Sequence, residues 1–260
     1  MKKRTQKVLE GKTSLIIVND ASSAGYLELS KRNFAHYEKI GILCTEFYFD
    51  AFPFPAQYND SYIASLSKQG PYKSNRWAVS SLRDFLKVDL LQYEKITLWF
   101  GNTTSEKMFL YFFARYYGRP FYVVDYGAFA EEGRPMFLDI MGGTSASDML
   151  LRERLITKDE LCELQRKANN LLINDTGFHA LDEEGEVHNV SPEAYSSMIY
   201  EILEKNGGSM NISHLIGQMM GNLPFNSEKF DNKLIAWHLN NGLLRSTWGK
   251  SLSSIRLLPV

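Results

Sequence analysis

The segment from Lys95 to Tyr117, KITLWFGNTTSEKMFLYFFARYY, constrains the fold of this chain more than any other stretch. Ile96, Leu98 and Phe100 recur at the two-residue period of a strand, and Trp99 favours extended backbone. The small polar run Gly101 to Ser105 ends that strand. Thr103 and Glu106 then stand as T-x-x-E, the spacing at which a hydroxyl and a carboxylate cap the first turn of a helix reciprocally. Met108, Phe109, Phe112, Phe113 and Tyr116 keep helical spacing, and Gly118 with Pro120 supplies the stop. The unit is therefore strand, turn, helix. In open α/β sheets ligands bind at the C-terminal ends of such strands, where helix N-termini present unpaired N–H groups.

At 260 residues the chain is long enough for one large domain or two modest ones, and two are expected here. Lys plus Arg number 29 against 30 Asp plus Glu, so no global charge selects nucleic acid or an anionic membrane. Cys44 and Cys162 match neither a metal spacing nor a disulfide framework, which fits a reducing compartment. No apolar stretch follows the basic N-terminus MKKRTQKVLEGK, and no run is long enough to span a bilayer. A soluble cytoplasmic protein with no membrane partner is the expectation.

Ser14 to Val18 reads as a strand buried on both faces, running into NDASSAG, where Ser22 or Ser23 is expected to cap a helix through Tyr26 and Leu27. A second strand covers Lys39 to Cys44. The aromatic segment TEFYFDAFPFPAQY carries Pro53 and Pro55, which exclude a central strand and predict a folded loop. Helical spacing follows over 59–69 and 75–89, and Phe121 to Val124 forms the next strand, ending in Asp125. Strands alternating with helices predict an α/β domain with a doubly wound, mostly parallel sheet over residues 1–145. The Gly- and Ser-rich run Met141 to Asp148 marks the boundary.

Residues 146–260 are expected to be mainly helical. Thr157 and Glu160 form another capping box for a helix to about Asn170, and a hairpin fits Gly177 to Val190 around the turn Asp182 to Gly185. Counting outward from that turn sets His179 opposite His188, a pair able in principle to share a metal. Ser191 and Pro192 open a helix to Lys205, a second spans Asn211 to Met220, and Ser227 caps a third that carries Phe230, Leu234, Trp237 and His238 on one face. Leu243 to Trp248 and Ser254 to Leu258 then pair as a ribbon. Three helices and a ribbon outline a winged-helix-like end.

The turn motifs also resemble a bacterial family designated domain of unknown function 1835, with its C-terminal companion 3658. LWFGNTTSEKMFL, with Gly101, Asn102 and Glu106, is similar to the family's W-x-G-N-x-x-x-E unit, and Arg76 with Trp77 falls near its central Arg-x-x-Trp-like element, though the two are adjacent here. IIVNDASSAG resembles its first turn in Ser22, Ala24 and Gly25, while Asp20 and Ala21 stand where the family carries Gly and Asp. The resemblance covers nearly the whole chain. It implies a fold and a site, and no activity.

The candidate ligand-binding residues are Asn19, Asp20, Ser22 and Ser23 of the first turn and Gly101, Asn102, Thr103, Ser105 and Glu106 of the second, joined by Asp125 and Arg76. Hydroxyls, amides and two helix N-termini suit an anion, although ordinary helix capping uses the same residues. Glu106 is a candidate general base or simply half of a cap, and Asp20 and Asp125 are candidates for holding a metal or a ribose hydroxyl, or simply turn residues. No Walker loop, dinucleotide fingerprint, zinc motif or nucleophile elbow occurs, so no catalytic residue, metal site or cofactor is assigned. Aromatics between Phe47 and Tyr58 either stack on a ligand ring or serve core filling and a subunit contact. The apolar helix after Glu106 is central or lies in a homodimer interface.

These features suggest binding of a small phosphorylated, phosphate- or nucleotide-like ligand, coupled to a regulatory or protein-contact role. Two alternatives remain: a hydrolase or transferase acting on a phosphorylated small molecule, and a DNA-binding or structural interaction module. The third C-terminal helix opens with Glu228, Lys229, Asp231 and Lys233, whose charges offset one another, so nucleic acid is not the expected partner.

Overall fold

A computed structural model describes residues 9–47, 49–56, 62, 82–129, 146–247 and 254–257. The N-terminal half opens with β1 (Ser14–Val18), α1 (Ala21–Ser30) and β2 (Ile40–Cys44). It continues with β3 (Lys95–Phe100), α2 (Thr104–Tyr117) and β4 (Tyr122–Asp125). Next come α3 (Ala146–Leu150), β5 (Arg154–Leu155) and α4 (Lys158–Leu171). The strands form one sheet in the order β2-β1-β3-β4-β5. All neighbours are parallel except β4 and β5. The chain is α/β with a mostly parallel five-stranded sheet, and β5 reaches that sheet from beyond the expected boundary at residue 145.

Alternation along the strands sends side chains to two separate cores. Leu15, Ile17, Ile96, Leu98 and Phe100 pack on the α2 face. Ile16, Val18, Trp99 and Val124 pack on the other, against Leu27 of α1 and Met149 of α3. Helix α2 is the centre of the larger core: Met108 and the run Phe109 to Ala114 are all buried. Its apolar surface is thus covered by this chain, and an intersubunit contact is not needed to explain it. Gly118, left-handed at φ 66°, ends the helix with its N–H on the Ala114 carbonyl.

The aromatic loop fills the core. Phe47 meets Phe85, Phe109 and Phe112 edge-on, with ring centroids 5.5–5.6 Å apart, and Phe52 and Phe54 are buried. Its backbone makes a 3₁₀ turn at Phe49–Ala51 rather than a strand.

The C-terminal half comprises the hairpin β6 (His179–Leu181) and β7 (Val187–Asn189), then α5 (Ser196–Lys205), β8 (Ser209–Asn211) and α6 (Ile212–Asn222). Helix α7 (Glu228–Asn240) and strands β9 (Leu244–Thr247) and β10 (Ser254–Leu257) complete it. The expected two-stranded ribbon is a three-stranded antiparallel sheet, because β8 adds to β10 in the order β8-β10-β9. The hairpin register also differs from the count out of its turn. His179 faces Asn189, and His188 faces Ala180. Asp182 and Glu186 close the loop, with left-handed Gly185 (φ 76°) inside it, so the loop is one residue longer than DEEG. That one-residue shift leaves His179 buried and His188 exposed, and dissolves the expected histidine pair. Among the described residues no group of three His, Cys, Asp or Glu is placed to hold a metal, and no helix is long and apolar enough to cross a membrane.

The expected helices over 59–69 and 75–89 lie outside the described residues apart from 62 and 82–89, as does Arg76.

Candidate functional site

The order β2-β1-β3 means that the chain leaves β1 toward one sheet edge, to β2, and later returns to β1's other side with β3. Connections therefore depart in opposite directions at β1 and β3, which opens a crevice at their C-terminal ends. Both expected turns lie there. Asn19, directly after β1, is buried and spans the gap: its Oδ1 accepts from Phe47 N at 2.7 Å and from Thr45 Oγ1 at 3.0 Å. Its Nδ2 donates to the Phe47 carbonyl at 2.7 Å and reaches Ser105 Oγ at 3.5 Å. Ser105 Oγ donates to the same Phe47 carbonyl at 2.7 Å. One amide thus ties β1, the chain after β2 and the first turn of α2 together.

Asp20 is the N-cap of α1, accepting from Ser23 N at 2.7 Å. The expectation that Ser22 or Ser23 caps this helix is corrected: β1 ends at Val18 and the helix starts at Ala21, which leaves Asp20 as the last extended residue. Thr103 caps α2, its Oγ1 accepting from Glu106 N at 3.4 Å and donating to Glu106 Oε2 at 2.7 Å. Burial pushes the Glu106 carboxyl up to about 8, and Asp20 adds to this. Hydrogen bonds from the Thr103 hydroxyl and from the backbone of Thr103 and Gly101 pull the other way. At neutral pH Glu106 carries a proton, so it can donate to a ligand and does not repel an anion. Thr103→Ala is expected to cost about 0.5–2 kcal/mol, as loss of an N-cap does, read as a lowered denaturation midpoint.

Asn19, Asp20, Thr103, Ser105 and Glu106 line one cavity of about 110 Å³. Its remaining wall is Asn226 and Ser227, immediately before α7. The sequence offered no signal for these two beyond Ser227 as a helix cap, because their contacts reach residues 122 and 177 positions away along the chain. Thr104 N donates to the Phe225 carbonyl at 2.8 Å, and Thr104 Oγ1 to Asn226 Oδ1 at 2.6 Å. Ser227 donates from N (2.6 Å) and Oγ (2.9 Å) to the two oxygens of Asp50. Asp50 is wholly buried, and burial raises its pKa. Further along α7, Lys233 Nζ donates to the Gly177 carbonyl at 2.7 Å, and burial brings its pKa down to about 8.

No protein-family model, curated protein or solved structure matches the chain.

Other expected site residues stand apart from the cavity wall. Ser22 is exposed on α1, and Ser23 is buried with its N–H on Asp20. Asp125 holds the turn after β4 by accepting from Ala128 N at 3.2 Å. Gly101 and Asn102 lie in the turn after β3, where Gly127 packs on their backbone: a Cβ at Gly127 would lie 2.6 Å from Asn102 N and 2.9 Å from Gly101 C. Neither atom can yield without moving the turn. Gly127→Ala is expected to destabilise by about 1–3 kcal/mol, the usual cost of overpacking, and to shift the amide resonances of 101–103.

A larger groove of about 430 Å³ lies over Phe100, Leu110, Val123 and Leu164. Most of its rim charges are paired with one another or with neighbours: Arg154 with Glu160 at 2.7 Å, Glu163 with Arg166 at 2.6 Å and Lys167 with Glu186 at 2.6 Å. The crevice at the β1–β3 reversal has the polar groups suited to a ligand.

Proposed function

We propose that the crevice between β1 and β3 binds a small phosphorylated or nucleotide-like ligand, and that the C-terminal half reads out its occupancy. The observation that carries this reading is the meeting of two separate strand-to-helix turns, through Asn19 and Ser105, at the reversal point of the sheet. The N-termini of α1 and α2 both open there, with the hydroxyls of Thr103 and Ser105 and a protonated Glu106 beside them. Asp20 is the opposing charge and favours a ligand that offers a hydroxyl next to its phosphate. Thermal unfolding against inorganic phosphate, nucleoside monophosphates and sugar phosphates tests the reading. A ligand at a hundred times its Kd adds about 2.7 kcal/mol, and the absence of a shift with all three classes would overturn it.

The helices α5, α6 and α7 with the three-stranded β8-β10-β9 sheet support a winged-helix-like unit in a protein-contact role. In DNA-binding members of that architecture the third helix enters the major groove by its N-terminal turn. Here the start of α7 is turned inward: Ser227 is held by Asp50, and Phe230 and Asp231 are buried. A hydrolase or transferase reading would rest on Glu106, the protonated acid in the cavity. It predicts turnover of the bound phosphate ester, whereas the binding reading predicts recovery of the ligand unchanged.

A further inference from the structure

The crevice is closed by the chain's own C-terminal half. At about 110 Å³ it is well below the roughly 300–1,000 Å³ of sites that hold drug-sized ligands, so a nucleotide could not enter it as it stands. One wall of it is the loop ahead of α7, through Asn226 and Ser227. The first amide of α2, Thr104 N–H, is one of the groups that a helix N-terminus leaves for an anion, and it is already given to the Phe225 carbonyl at 2.8 Å. The neighbouring hydroxyl of Thr104 is given to Asn226 Oδ1 at 2.6 Å. Ser227, the next residue, is clamped by both oxygens of Asp50.

We infer that residues Phe225 to Ser227 act as an intramolecular plug, in which a backbone carbonyl and an amide oxygen take the place of a ligand's phosphate oxygens at the start of α2. This rests on the ligand-binding reading of the crevice. A phosphate group that takes Thr104 N–H displaces the Phe225 carbonyl, and Ser227 moves with it. Because Ser227 is the N-cap of α7, the displacement loosens the first turn of that helix. Ligand binding and the docking of α7 are therefore opposed, and each weakens the other by the same factor.

The test uses the full chain and inorganic phosphate as the probe. Asn226→Ala removes the amide oxygen of the plug, and Thr104→Val removes the same hydrogen bond from the other side while keeping the shape of the side chain. Calorimetric titration is expected to give phosphate affinities about two- to tenfold tighter in both variants than in the unaltered protein, the range that one neutral hydrogen bond is worth. In the unaltered protein, saturating phosphate is expected to speed amide hydrogen exchange over residues 225–231. Equal or weaker phosphate binding in both variants, with exchange over 225–231 unchanged, overturns the plug while leaving the crevice as a phosphate site. No phosphate binding in any of the three proteins overturns the crevice reading and the plug together.

Discussion

Exchanging Glu106 for glutamine is expected to lessen, by the share this one carboxyl contributes, the fall in stability that the protein otherwise shows between about pH 4.5 and pH 8. The carboxyl is buried in the crevice, and its pKa rises from an ordinary 4.5 to about 8. Between those values the unfolded chain has released the proton and the folded chain still holds it. The folded state binds more protons, so its stability falls as pH rises. The contribution is complete below pH 4.5 and is lost as the pH passes through about 8. A tenfold change in proton affinity is worth about 1.36 kcal/mol, so the whole window amounts to roughly 3–6 kcal/mol. Urea denaturation at intervals across that range reads it directly. A glutamine variant with the same slope as the unaltered protein would place the titrating group elsewhere.

The second large effect is expected at Asp50. Asp50→Ala removes the acceptor for both donors of Ser227, a backbone N–H and a hydroxyl, at a position from which water is excluded on the Asp50 side. Each buried donor left without an acceptor costs roughly 1–3 kcal/mol, and Ser227 is itself only half-buried, so a total of about 2–3 kcal/mol is expected. Asp50→Asn retains one acceptor oxygen and is expected to recover about half of this. The two variants separate a hydrogen-bonding role from a role of charge. If Asp50→Asn were as damaging as Asp50→Ala, attraction to half-buried Lys233 and to His179 would be what matters. Chemical denaturation supplies the comparison.

The sheet was legible in the sequence because its strands are short apolar runs closed by polar turns. Ser14–Val18, Ile40–Cys44, Lys95–Phe100 and Tyr122–Asp125 lie within one residue of their expected positions. The capping pair Thr157 and Glu160 marked the start of α4, and both of its reciprocal hydrogen bonds are present. What misled was chemistry at the scale of one residue. Gly185 in the left-handed region lengthens the hairpin loop by one, and that exchanges the face of every residue in the facing strand. Strand β8 escaped notice because three residues after a pair of glycines carry no period, and pairing with β10 is what extends them. Within the site, Asn19, Thr103, Ser105 and Glu106 were recognisable as residue types at strand ends. Asn226, Ser227 and Asp50 were not, since only long-range packing brings them to the crevice.

In the proposed function the turns after β1 and β3 form one phosphate-binding crevice. A titration with a nucleoside monophosphate, followed residue by residue through backbone amide resonances, tests it most directly. Saturable shifts are expected to concentrate at residues 20–25 and 101–106, with a second group at 225–231 as the loop before α7 responds. Shifts confined to the groove over Leu110 and Leu164, or none within 20–25 and 101–106 at millimolar ligand, would contradict it.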